Sequence, residues 1–220
     1  MRRPPAILGI GKNYPSHARE LGSEPPRDPV VFHKNPAAVI GDGEPILLPP
    51  VVRTPEPGVD YEGELAVILG CDAKDVSEAE ARSVISHVAA ANDVSQRWWQ
   101  WRAGGGQWCR GKSFDSFCPI GDAVALSRID DLQNLVITTR LNGEVVQQDT
   151  TASMLFPVAR LVAELSRGTT LLAGTVLLTG TPAGVGAGRT PPRFLQAGDQ
   201  VEVSISGVGR VANPVRLGAG

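Results

Sequence analysis

The stretch DYEGELAVILG, residues 60–70, decides how the chain is read. Strand alternation puts Glu62, Glu64, Ala66 and Ile68 on one face and Tyr61, Leu65, Val67 and Leu69 on the other, so neither face reads as solvated. Two carboxylates then point inward together. Like charges in a poorly solvated place do not both stay ionised without a compensating cation, and a hard divalent ion is such a partner. On spacing alone, a strand edge with both glutamates in water is the competing reading.

Upstream, PAILGIGKNYPSHARELGSE (5–24) runs from an apolar strand into a short helix, with Pro15 in its first turn and Gly22 past its end. His17 and Glu20 are three apart and share a face of that helix, where a carboxylate can fix the imidazole tautomer and raise its basicity. A surface His–Glu pair is the alternative. The run PVVFHKNPAAVIGDGEPILLPP (29–50) is broken by Pro and Gly into short strands and turns, and RTPEPGVD (53–60) reads as a loop.

Downstream, SEAEARSVISHVAAA (77–91) reads as a helix. Ser77 and Glu80 form a capping box, Val84, Ile85, Val88 and Ala91 give an apolar stripe, and His87 falls within the same helical pattern as a structural or surface residue. Asp93 follows where the pattern turns extended, either re-entering the core that holds the two glutamates or serving as helix-end punctuation. All four tryptophans fall in 98–108, among Arg97, Gln100, three glycines (104–106) and Lys112. This segment reads as a substrate-facing wall with a mobile loop, and Arg97, Gln100 and Lys112 are candidate donors to an anionic ligand. VITTRL-Asn142-Gly143-EVVQQ is a hairpin with a type I′ turn, and a helix runs from Pro157 to Gly168. TVLLTGTPAGVGAG (175–188) is a strand entering a glycine-rich turn without the Lys-Ser/Thr of a nucleotide loop; the amides of Gly180 and Thr181 can hold a carboxylate.

Composition narrows the function. At 220 residues, with 42% hydrophobic and 20% charged residues, the chain suits one soluble domain, 1–220, in which 1–35 supplies an N-terminal strand and a lid helix. A net charge of −2 and the absence of a basic run argue against nucleic acid, and no apolar run approaches a membrane span. Cys71, Cys109 and Cys118 lack metal-type spacing and read as free thiols, so a cytoplasmic location is the expectation.

Taken together, GKNYPSHARE (11–20), DYEGELAVILG, NDVSQR (92–97), RGKSFDSFCPIG (110–121), LNGEVVQ (141–147), LLTGTPAGVG (177–186) and FLQAGDQVEVSISGVG (194–209) resemble the fumarylacetoacetate hydrolase family over nearly the whole chain. The resemblance implies an α+β fold, a β-rich roll with a few flanking helices, present as the catalytic domain alone and usually as a homodimer. It implies that Glu62, Glu64 and Asp93 hold Mg²⁺ or Mn²⁺, that His17 and Glu20 activate water, and that Lys112 stabilises charge. Arg97, Gln100, Gly180 and Thr181 would bind substrate. The implied reaction is metal-dependent hydrolysis of a carbon–carbon bond in a 2,4-dioxo acid through an enolate. Tautomerisation or decarboxylation of oxaloacetate on the same site is the alternative, and a catalytically idle metal-binding domain is a second. The chain departs from the family pattern at Gln96-Arg97-Trp98, at Ala89-Ala90-Ala91 and at Gly121-Asp122, so the pocket wall differs where the proposed ligands do not.

Overall fold

The structure is a computed structural model that describes residues 3–53 and 58–219. The loop expected at 53–60 falls partly on 54–57, outside the described residues. Two sheets carry the fold. The first has six strands in the spatial order Val124–Ala125, Ile85–Asn92, Gly63–Leu69, Val176–Leu178, Ile7–Gly11 and Val30–Lys34. The second has five, in the order Glu144–Thr150, Val136–Leu141, Gln200–Ile205, Gly209–Leu217 and Ile46–Leu48. Neighbours are antiparallel except Ile7–Gly11 beside Val176–Leu178 and Gly209–Leu217 beside Ile46–Leu48. Among the described residues, no helix is long and apolar enough to cross a membrane. The β-rich α+β architecture is the one the sequence leads to.

The 60–70 stretch behaves as its alternation requires. Leu65, Val67 and Leu69 enter the main core, where they meet Ile137, Val203, Ile205 and Val211 of the second sheet. Ala66 and Ile68 face the other way, toward a smaller cluster with Ile7, Ala89, Ala91, Val176 and Leu178. Each large side chain so buried contributes on the order of 1.5–3 kcal/mol, so a one-residue slip in register would exchange the two clusters. The Asn142-Gly143 hairpin forms with both turn residues at positive φ, 54° and 86°. The later helix spans Val158–Ser166 and buries Val158, Leu161 and Val162.

One expectation is overturned. The helix read over 77–91 exists only as Ala81–Val84, and Ile85–Asn92 is a strand beside Gly63–Leu69, with His87 on it opposite Ile68. Ser77 and Glu80 do bond side chain to side chain, at 2.6 Å, but ahead of the helix. The alternation here was masked because alanine fills both faces. Val88 and Ala90 pack into the main core, while Ala89 and Ala91 pack into the smaller cluster. Alanine's helical preference, at most several tenths of a kcal/mol per residue, yields to pairing with a strand on either side.

The face bearing Ala66, Ala89 and Ala91 is lined with small residues, and other segments approach it closely. A Cβ on Gly9 or Gly11 would lie 2.2 Å from the ring of Phe32 or Trp108, respectively. Those two rings pack against each other, with centroids 5.7 Å apart. Glycine is therefore required where strand Ile7–Gly11 passes beneath the aromatic wall.

Candidate active site

The antiparallel pairing that builds the first sheet also gathers its acids. Gly63 lies opposite Asn92. Asn92 Oδ1 accepts from the Glu62 amide at 2.9 Å, and the Asp93 amide donates to Glu62 O at 2.8 Å. The start of one strand and the end of the next thus bring Glu62, Glu64 and Asp93 together, one oxygen of each lying within 4.8 Å of the others. All three are buried.

Cations surround them. Lys112 Nζ bridges Glu62 Oε2 and Asp93 Oδ2, each at 2.6 Å. Lys34 Nζ donates to Asp93 Oδ1 at 2.5 Å. Arg97 Nη1 reaches Glu62 Oε1 at 2.6 Å, and its Nε reaches Asp60 Oδ2 at 2.9 Å. Asp60 and Lys34 are members of this network that the sequence reading passed over. Asp60 opens the quoted stretch. Lys34 lies two residues from buried Phe32 on the same strand, so alternation places both on one face, a signal that was available. Asp60 also accepts from the amides of Gly186 (2.7 Å) and Ala187 (2.9 Å), tying the glycine-rich turn to Arg97.

Two glutamates two residues apart acquire opposite character. Burial alone would push the Glu62 carboxyl up, but Lys112 and then Arg97 outweigh it and hold it at about 2. Glu64 has no such partner among the described residues; its Oε2 accepts from the Gly180 amide at 2.7 Å. Burial, followed by the charges of Asp93 and Glu62, pushes its carboxyl well above the ordinary range. Glu64 is therefore the member of the triad whose ionisation no side-chain cation offsets among the described residues. An all-carboxylate donor set with one uncompensated member fits a hard divalent cation such as Mg²⁺ or Mn²⁺, since each oxygen that accepts one hydrogen bond keeps a lone pair.

His17 and Glu20 form the expected pair in helix Pro15–Glu20, with Nδ1 3.3 Å from Glu20 Oε2 and the imidazole buried. Glu20 Oε1 accepts from the Gly184 amide at 2.8 Å, so the glycine-rich turn orients this carboxylate. A carboxylate only accepts, so Nδ1 donates in this bond, and the neutral form of the ring then has its lone pair at Nε2.

His17, Glu62, Arg97, Gln100, Lys112 and Thr181 line one cavity of about 400 Å³, with Glu64 and Asp93 behind it. Its remaining wall includes Ile10, Leu21, Trp101 and Trp108. Trp101 lies over the Arg97 guanidinium at 5.5 Å, and Phe32 lies 4.8 Å from Lys112 Nζ, so aromatic faces support both cations. Gln100 Oε1 accepts from Arg97 Nη1 at 2.9 Å, which turns its amide nitrogen elsewhere. Thr181 Oγ1 bonds Gly63 O and Gln147 Nε2, both at 2.9 Å. Gly180 is not on the cavity wall. Its amide holds a carboxylate, as the turn suggested, but that carboxylate is the chain's own Glu64.

The family model for the fumarylacetoacetate (FAA) hydrolase C-terminal region matches residues 6–216. Oxaloacetate tautomerase FAHD2A of Homo sapiens, a mitochondrial protein, is 40% identical over 97% of this chain and 67% of its own length. The Xenopus laevis tautomerase fahd2 is 41% identical over 96% of this chain and 66% of its own. This chain thus spans about two thirds of the length of these relatives. Among solved structures, the fumarylacetoacetate hydrolase of Exiguobacterium antarcticum superposes with a TM-score of 0.87 at 38% identity, covering 98% of this chain and 76% of that one. The 5-carboxymethyl-2-hydroxymuconate delta-isomerase of Mycobacterium smegmatis gives 0.84 at 38%, covering 98% and 80%. Two sheets, a buried acidic triad and a match from residue 6 to residue 216 lead to one statement: the chain belongs to the fumarylacetoacetate hydrolase family of enzymes.

Proposed function

We propose that this enzyme interconverts the enol and keto forms of a 2-keto acid of the oxaloacetate type. The observation that carries the reading is a carboxylate-oriented imidazole and a buried acidic triad meeting at one cavity. Glu62, Glu64 and Asp93 would hold a divalent cation, Mg²⁺ or Mn²⁺, which when bound supplies Lewis acidity toward the substrate's carboxylate and ketone oxygens. His17 Nε2 takes the proton from C3 of the keto acid, the C3–H electrons become the C2–C3 double bond, and the C2=O2 π electrons move onto O2, which takes a proton from solvent water as the imidazolium gives its own back to solvent. In the reverse direction, the imidazolium returns a proton to C3. Glu20 stabilises that imidazolium and keeps the ring in the required tautomer. Arg97, Gln100 and Lys112 orient the substrate, and the apolar wall limits water at C3. The tautomerase relatives and the isomerase structure support moving a proton over cleaving a bond.

A second reading, hydrolysis of a 2,4-dioxo acid by water activated at His17, draws on the hydrolase structure from Exiguobacterium antarcticum and on an apolar wall suited to a longer acyl chain. The two are separated by following enol-oxaloacetate loss in the ultraviolet beside pyruvate release from acetylpyruvate and from oxaloacetate, with Mg²⁺, with Mn²⁺ and with EDTA. Metal-dependent loss of the enol without pyruvate is the expected result. Pyruvate from acetylpyruvate would replace the first reading with the second, and no turnover of any of these acids would remove both.

A further inference from the structure

We propose that Lys12 determines specificity by receiving the distal carboxylate of a dianionic 2-keto acid; this rests on the keto-acid reading above and specifies its substrate class. Among the described residues, three cations line the cavity: Lys12, Arg97 and Lys112. Arg97 is matched by Asp60 and Glu62, and Lys112 by Glu62 and Asp93. Lys12 has no ion pair among the described residues, although it is half-buried on the cavity wall. A cation held beside an apolar surface without a counter-charge is a receptor for an anion that arrives with the ligand.

The backbone supports the same reading. Lys12 has φ 57°, the left-handed region that a lysine adopts only when its surroundings impose it. The next residue imposes it. Asn13 Nδ2 donates to Thr179 O (2.7 Å) and Phe156 O (3.1 Å), and its Oδ1 accepts from the Phe156 amide (2.9 Å). Below it, the Trp108 ring fills the space above Gly11. The turn joining strand Ile7–Gly11 to the helix of His17 is thus clamped on both sides of Lys12, and Lys12 and His17 border the same cavity. A ligand in this cavity would present its keto-acid head to the triad and its second carboxylate to Lys12.

The test compares two inert ligands with the same 2-hydroxy acid head, L-malate, which carries a distal carboxylate, and L-lactate, which does not. Binding is measured by calorimetry in Mg²⁺ on wild type, Lys12→Met, Lys12→Gly and Lys12→Arg. Wild type is expected to prefer malate by roughly 10- to 100-fold, the range of a charge-assisted hydrogen bond. Met and Gly should remove that preference and leave lactate within about twofold, and Arg should restore most of it. Glycine relieves the left-handed backbone, so Lys12→Gly should melt no lower than wild type and separates lost charge from lost folding. The proposal is overturned if wild type shows no preference for malate, or if the preference survives Met and Gly. Failure of the keto-acid reading would register separately, as absence of turnover in the enol assay whatever the malate result.

Discussion

The floor and the wall of the cavity are built on different principles. On the floor, Asp60, Glu62, Asp93, Lys34, Arg97 and Lys112 hold one another through contacts of 2.5–2.9 Å, and Glu64 has no cation partner among the described residues. The wall is a short helix with His17, the Lys12 turn and the tryptophan segment, where Trp101 is 40% exposed. A paired floor residue cannot be changed without leaving a buried charge behind, whereas a wall residue has neighbours or solvent that can adjust. The floor therefore answers for stability, metal affinity and the seating of the substrate's head, and the wall for proton transfer and choice of substrate.

The sharpest way to break this division is Asp93→Ala. Lys34 loses its carboxylate and Lys112 loses one of two, and stranding one side of a buried pair costs about 3–5 kcal/mol. Thermal unfolding should show the midpoint falling by roughly 10 °C, with Mn²⁺ binding lost by calorimetry. An unchanged midpoint would mean that the floor is not held by its charges.

On the wall, His17→Ala should lower turnover by roughly 10²- to 10⁴-fold while leaving the melting midpoint and Mn²⁺ affinity near wild type. Turnover close to wild type would remove the His17–Glu20 pair from the mechanism. A large loss of metal affinity would erase the distinction between the two regions.

The smallest expected effect separates the glutamates within the floor. The Glu62 carboxyl is held at about 2, below its ordinary 4.5, so it contributes stability above pH 4.5 that is lost as pH falls through 2. Glu64 is shifted the other way. Its contribution is complete below pH 4.5 and declines as pH rises toward its raised value, so ionised Glu64 is a liability in EDTA at neutral pH. Glu64→Gln should therefore raise the midpoint by roughly 2–4 °C for each kcal/mol relieved, and abolish stabilisation by Mg²⁺. Glu62→Gln should lower the midpoint at neutral pH and converge on wild type as pH nears 2. Melts of both variants from pH 2 to 8 check these signs, and identical behaviour of the two would refute the asymmetry.

Some of this was legible along the chain because it depends on neighbours in sequence. Alternation over 60–70 separates two clusters, Asn142-Gly143 supplies two left-handed residues to a hairpin, and His17 and Glu20 meet across one helical turn. The reading failed where local preference met a stronger distant partner. Residues 85–92 carry alanines that suit a helix, yet they lie between two strands, and pairing with Gly63–Leu69 overrides propensity. The amide of Gly180 was legible as a carboxylate holder, but its occupant, Glu64, is 116 residues away.

By itself the sequence determined which side chains could carry the chemistry: three acids, an imidazole with its carboxylate, and a cluster of cations and tryptophans. Only the tertiary structure decided how charge is shared among them. It placed Lys34 on Asp93 and Asp60 on Arg97 and, among the described residues, left Glu64 without a cation and Lys12 on the cavity wall without an ion pair. The physical reason is that periodicity fixes the direction of a side chain relative to its own element. The energy of a buried charge is fixed by the nearest opposite charge, which folding brings from anywhere in the chain.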